Sequence, residues 1–141
     1  MTDRIFVDSD VILDLIARRE PFYPAAAALF SQAETRRLTI CSSSLIFANL
    51  FYILRKQTSS ATAVTALQKL RLLVTILPVN EKIIDLALAS AFTDFEDAIQ
   101  YYTAVEQGVS VLITRNTKDY RKPAITICTP QEFLNSFTRP Q

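Results

Sequence analysis

The chain contains no histidine in its 141 residues. That excludes the Ser-His-Asp triad, the Cys-His dyad and the usual zinc sites, all of which need an imidazole as base or ligand. It contains one glycine, Gly108, which excludes the glycine-rich loops that let a backbone close on a nucleotide phosphate. It has two cysteines, Cys41 and Cys128. Each follows a short β-rich run, and both read as buried free thiols rather than a disulfide or a metal pair. No apolar run approaches the ~20 residues of a membrane span, and Met1-Thr2-Asp3-Arg4 lacks the apolar core of a secretion signal. A soluble cytoplasmic protein is the expectation. Charge is balanced, with 15 basic and 14 acidic residues for a net +1, so the chain as a whole exerts no pull on nucleic acid or membranes.

Half the residues are apolar, enough for one domain over residues 1–141 with its own core and too many for disorder. Short apolar runs alternate with helical patterns along it. Strands are expected at Ile5–Val7, Leu38–Cys41, Leu73–Leu77, Val109–Ile113 and Ile125–Cys128. Helices are expected over Asp8–Arg19, about Pro24–Arg37, from Ser42-Ser43-Ser44 to about Lys56, from after Ser60 to about Leu72, over Glu81–Ser90, and from Thr93 or Asp94 to about Gln107. Asn80 caps the fifth of these, Gly108 closes the sixth, and Thr129 with Pro130 opens a last one. The tail Thr138–Gln141 is expected to fray. Strict strand–helix alternation indicates an α/β fold with a parallel sheet covered on both faces.

In such sheets ligands bind beyond the carboxyl ends of the strands. Asp8 stands at the tip of the first strand. Asn116 and Asp119 follow the fourth, and Asp94, Glu96 and Asp97 open the helix that leads into it. If these carboxylates converge, their repulsion calls for a cation, and oxygen donors without imidazole suit Mg²⁺ or Mn²⁺. Such an ion can activate a bound water and brace a phosphate, which is how a chain without histidine can hydrolyse a phosphodiester.

Each residue also has a plainer reading. Asp8 can be a helix N-cap, but Ser9 and Asp10 can fill that position, and Asp10 is expected to do so. Asp14 reads as a supporting or surface acid. Asp94 reads foremost as an N-cap pairing with Asp97, Glu96 as a solvated first-turn acid, and Asp119 as a loop acid. Thr114, Arg115 and Asn116 are either phosphate contacts or turn residues. Tyr101 and Tyr102 can stack on bases but more often belong to a core. Arg55-Lys56, Lys69, Arg71 and Arg121-Lys122 are backbone contacts or solvated charges.

Three segments carry a resemblance. Phe6-Val7-Asp8-Ser9-Asp10-Val11-Ile12-Leu13-Asp14, Phe95-Glu96-Asp97-Ala98-Ile99-Gln100-Tyr101-Tyr102 and Leu112-Ile113-Thr114-Arg115-Asn116-Thr117-Lys118-Asp119-Tyr120 come in this order. Together they resemble the PIN-domain family, which includes the VapC-type ribonuclease toxins of toxin–antitoxin modules. The resemblance spans nearly the whole chain. It implies a three-layer α/β/α fold with a central parallel five-stranded sheet, a Mg²⁺- or Mn²⁺-dependent ribonuclease, an RNA substrate, an antitoxin partner and a homodimer. It places catalytic metal-binding acids at Asp8, Asp97 and Asp119, with Asn49, Asn116, Asp94, Thr114 and Arg115 as auxiliary residues. The family usually has an acid where this chain has Asn49, and often another where it has Asn116. Both departures lower the charge of the site and imply weaker metal binding. A catalytically degenerate fold that binds RNA or protein is the alternative. Asp8-Ser9-Asp10 also mimics the Asp-x-Asp signature of haloacid-dehalogenase phosphatases, whose later Lys and acidic pair are not evident here. A phosphorylated receiver domain would want an Asp after the third strand, where Leu77-Pro78-Val79-Asn80 offers none.

Overall fold

The computed structural model describes residues 3–120 and 123–137. Arg121-Lys122 and the tail from Thr138 lie outside the described residues. Among the described residues five strands, β1 (Asp3–Val7), β2 (Leu38–Ser43), β3 (Val74–Leu77), β4 (Val111–Ile113) and β5 (Thr126–Cys128), form one sheet in the order β3-β2-β1-β4-β5. Every pairing is parallel. Seven helices accompany them: α1 (Ser9–Ile16), α2 (Tyr23–Glu34), α3 (Ser44–Gln57), α4 (Ser60–Arg71), α5 (Glu81–Leu88), α6 (Phe95–Glu106) and α7 (Pro130–Phe137). Right-handed crossovers put the helices of the β1–β2 and β2–β3 connections on one face. The return from β3 to β4 reverses direction and puts α5 and α6 on the other. The contacts agree: α1 packs on α2, α3 on α4 and α5 on α6. The expected three-layer α/β/α sandwich is what the chain forms.

Strands β1, β2 and β4 supply the centre of the core through Ile5, Phe6, Val7, Ile40, Cys41, Leu112 and Ile113, each at most 1% exposed. Both cysteines are free thiols, Cys41 buried and Cys128 half-buried. Among the described residues no helix is long and apolar enough to cross a membrane.

The elements differ from the sequence expectation where backbone bonds are taken by helix ends. Helix α1 stops at Ile16 instead of Arg19, because Arg19 N–H closes on Asp14 O at 3.1 Å and Arg18 turns to φ 51°. Arg36 takes the same left-handed turn, φ 61°, after α2. With so little glycine, two arginines stand in this conformation at helix ends. Strand β4 begins at Val111, not Val109, because Val109 N–H is bonded to Ala104 O at 2.9 Å as the close of α6, with Gly108 at φ 73°. Strand β2 runs on to Ser43, whose hydroxyl then accepts from Ile46 N–H at 3.0 Å and caps α3. Thr129 and Glu132 form the reciprocal capping box that opens α7.

Candidate functional site

Strand order reverses at β1, whose neighbours are β2 on one side and β4 on the other. The connections from β1 and β4 diverge there and leave a crevice at their carboxyl ends, where open α/β sheets bind ligands. Asp8 is the first residue beyond β1, and its N–H still bonds Ile113 O at 2.9 Å. Thr114 is the first beyond β4, and its N–H bonds Cys128 O at 3.0 Å. The sheet register therefore fixes these two side by side.

Asp8 is 8% exposed. One carboxylate oxygen accepts from Ser9 N–H at 2.7 Å, and the other from the Thr114 hydroxyl at 3.1 Å. The same hydroxyl lies 3.3 Å from Asp10 Oδ2, which also accepts from Arg115 N–H at 3.0 Å. One proton thus serves two carboxylates. Burial, then the nearby Asp10 charge, pushes the Asp8 carboxyl up to about 6 against these favourable bonds. Burial also raises the Asp10 carboxyl. Asp8, not Asp10, holds the N-cap position of α1. The short Ser9 bond closes locally, and Asp10 is drawn instead onto the β4 loop.

Helix α6 brings the second group. Asp94 caps it, accepting from Asp97 N–H at 3.0 Å. Burial, then the charges of Asp8 and Asp94 and a hydrogen bond with Asp119, pushes the Asp97 carboxyl up to about 7. Asp119 ends a short 3₁₀ turn (Thr117–Asp119) and accepts from the Asn116 amide. Asp8, Asp97 and Asp119, predicted from separate parts of the sequence, thus come together electrostatically. A cleft of about 160 Å³ lies over Asp8 and Asp97, with Asp10, Asp94, Glu96, Asn49, Gln100 and Asn116 also in its wall, no basic residue among its described lining, and Asp119 outside it. Such a charge set, hard oxygen donors only and raised carboxyls, fits a divalent cation. Among the described residues no three acids stand close enough to form a ready coordination shell. Asp8 is turned toward Ser9 and Thr114, and Asp119 toward Asn116.

Other expectations are corrected. Arg115 does not face the cleft: it grips Asp14 through Nε at 2.7 Å and NH2 at 3.2 Å and stacks over Phe22 at 3.9 Å. Asp14 is accordingly no surface acid but a 1% exposed ion-pair partner. Thr114 is fully buried and positions carboxylates instead of meeting a phosphate. Tyr101 belongs to the core, its hydroxyl accepting from Ala124 N–H at 2.6 Å. Arg55 stacks on Tyr52 and Phe51, and Arg71 donates to Val74 O at 2.8 Å.

Two cleft residues have roles that the sequence reading does not give them. Glu96 accepts from the Asn49 amide at 3.3 Å, so a carboxylate from α6 lies against the neutral residue on α3. Gln100, 2% exposed, accepts from the Ser43 hydroxyl at 2.6 Å and ties α6 to the end of β2. Its spacing from Asp97, one helical turn, was the available signal.

A family model described as PIN domain matches residues 4–118. The chain belongs to the PIN-domain family. It is 25% identical over 137 residues to ribonuclease VapC1 of Aquifex aeolicus (strain VF5), covering 94% of each chain. This PIN fold also superposes on a toxin–antitoxin complex from Klebsiella pneumoniae with TM-score 0.67 and 22% identity, covering 89% of this chain and 97% of that one. VapBC2 from Rickettsia felis, bound to a DNA fragment from its promoter, gives TM-score 0.66 at 17% identity, covering 88% and 96%. At these identities the solved structures establish the fold.

Proposed function

We propose that this PIN-domain protein is a metal-dependent endoribonuclease and the toxin of a toxin–antitoxin pair. The observation that carries the reading is the crowding of carboxylates around buried Asp8 and half-buried Asp10 and Asp97 at the reversal of strand order, with no basic side chain in the described cleft wall to neutralise them. The similarity to ribonuclease VapC1 supports RNA as substrate.

Asp8, Asp97 and Asp119 would hold a Mg²⁺ or Mn²⁺, with the amide oxygens of Asn49 and Asn116 as auxiliary donors. When bound, the ion lowers the pKa of a water and stabilises charge on the phosphate. The protein's own part is positioning. The Thr114 hydroxyl and Ser9 N–H hold Asp8, Asp94 fixes the start of α6 and so Asp97, and Asn116 holds Asp119. Glu96, held by the Asn49 amide, supplies the charge that α3 does not. Asp97, titrating near neutrality in the metal-free protein, is ready to exchange a proton at working pH.

The groove of about 770 Å³ between α1, α2 and α4, with Leu15, Ile16, Tyr23, Leu70 and Leu73 in its wall and Arg18, Glu34 and Lys69 among its lining, is our candidate seat for an antitoxin helix. Exposed Tyr52, Val64 and Leu72 on and beside α3 and α4 are our candidates for a homodimer face. A cytoplasmic location goes with this reading. The test is cleavage of a structured RNA pool with Mn²⁺, Mg²⁺ or EDTA by the wild type and Asp97→Asn. Metal-dependent cleavage lost in the variant supports the reading. A folded wild type that binds metal but cuts nothing would favour the degenerate binding module.

A further inference from the structure

A second cavity, of about 320 Å³, opens beside the acidic cleft and is lined by Phe92, Thr93, Tyr101, Tyr102, Lys118 and Asp119, with Ala91 at its edge. The two are linked through neighbouring acids: Asp119 lines this cavity and acts on the carboxyl of Asp97, which lines the cleft, while Asn116 of the cleft wall donates to Asp119. The aromatic side is rigid. The Phe92 ring lies 5.4 Å from Tyr101, 6.2 Å from Tyr102 and 5.7 Å from Tyr120, the last two edge-on, and the Tyr101 hydroxyl is fixed by Ala124 N–H. Yet Phe92 and Tyr102 remain only half-buried, leaving ring surface open to the cavity. Lys118 and Thr93 stand at the rim, less buried than the rings behind them.

We propose that this cavity is a nucleobase subsite, which takes one unpaired base of a single-stranded RNA against Phe92 and Tyr102 while Lys118 meets a neighbouring phosphate. This rests on the ribonuclease reading of the adjacent cleft. The cavity's volume is at the small end for ligand sites and suits one planar heterocycle. Aromatic faces bind any base by stacking, and a nearby ammonium pairs with the chain's phosphates, so the two features together select a nucleotide over an uncharged aromatic ligand. The Asn116–Asp119 link between the two cavities would set the base beside the phosphate that the carboxylate cluster addresses.

The test is binding without cleavage. The whole chain in EDTA is titrated with a single-stranded oligoribonucleotide and with an abasic oligomer of equal length. Fluorescence anisotropy of the labelled strand gives affinity, and quenching of tyrosine emission, unobscured because the chain has no tryptophan, gives stacking. The wild type is expected to prefer the base-containing strand by roughly 5- to 150-fold, the range of one stacked base. Phe92→Leu and Tyr102→Leu should shrink that preference in protein still folded at the assay temperature, with midpoints lowered by the ring contacts each loses. Thr93→Met, whose longer, non-aromatic side chain obstructs the cavity from its exposed rim, should weaken it. Lys118→Ala should lower the slope of log affinity against log salt by about 0.7. Equal affinity of the wild type for both strands, or an undiminished preference in folded Thr93→Met, would overturn the proposal. Base-dependent binding without any metal-dependent cleavage would sink the nuclease reading alone, and cleavage without base-dependent binding the subsite alone.

Discussion

Replacing Asp8 with Asn should make the metal-free protein more stable at pH 8 while removing a ligand of the proposed metal site. Asp8 is 8% exposed, and its carboxyl is pushed from 3.8 to about 6, chiefly by burial. The folded protein therefore holds the Asp8 proton up to about pH 6, whereas the unfolded chain releases it near 3.8. Between those values the folded state binds more protons, so wild-type stability falls as pH rises through that window and stays reduced above it. A shift of roughly two units corresponds to about 3 kcal/mol at full effect. Asparagine mimics the protonated acid: its oxygen keeps the Ser9 bond, and its amide donates to the Thr114 oxygen, whose own proton is then left to Asp10. Allowing for imperfect mimicry, a gain of about 1–3 kcal/mol is expected, or roughly 4–12 °C in a protein of this size. Thermal unfolding in EDTA at a series of pH values measures it. The curves of the wild type and the Asp8→Asn variant should meet near pH 4 and separate fully above about pH 6. Saturating Mn²⁺ should reverse the order, since binding at about 100 times Kd adds about 2.7 kcal/mol to the wild type alone. An Asp8→Asn protein less stable than the wild type at pH 8 in EDTA, or a gap as wide at pH 4 as at pH 8, would refute the reasoning.

Metal affinity should fall as pH drops from 8 to 5, because Asp97 at about 7 and Asp8 at about 6 must lose protons to bind a cation. Calorimetry at pH 6 in buffers of different ionisation enthalpy should show proton release, and an affinity constant over that range would contradict the assignment. Glu96→Gln should weaken Mn²⁺ binding by roughly 10- to 100-fold, measured by electron paramagnetic resonance, and adding Asn49→Glu should restore it. Equal binding by Glu96→Gln and wild type would reduce Glu96 to a rim residue. Arg115→Ala should cost about 3 kcal/mol in urea unfolding by stranding the buried Asp14, and Asp14→Leu with Arg115→Met should recover most of it. A neutral Arg115→Ala would show the pair to be unimportant to the fold. Arg36→Gly should raise stability by roughly 0.5–1 kcal/mol by relieving the left-handed turn after α2. A loss in the same assay would show that Arg36 contributes more than its backbone conformation.

The linear order of residues determined the fold class. Apolar runs of strand length alternating with amphipathic stretches permit little but a parallel sheet between helices, and local caps such as Asn80, Asp94 and the Thr129–Glu132 pair depend only on neighbours three residues away. Asp8, Asp97 and Asp119 could be named as candidates for the same reason, since each sits where an element starts or stops. What the sequence left open was every interaction across elements. Arg115 was a phosphate contact or a turn residue on paper and became the clamp of Asp14, 101 residues away, because α1 and the β4 loop meet at the strand-order reversal. Thr114 changed from a phosphate contact to the proton donor between Asp8 and Asp10 because β1 and β4 pair in one register. Glu96 remains an exposed first-turn acid, as read, but its contact with Asn49 exists only because α3 and α6 face each other across the cleft. The carboxyl shifts belong to this second class too. An aspartate's charge is written in the sequence, but the burial and crowding that hold its proton exist only once the chain has folded around it.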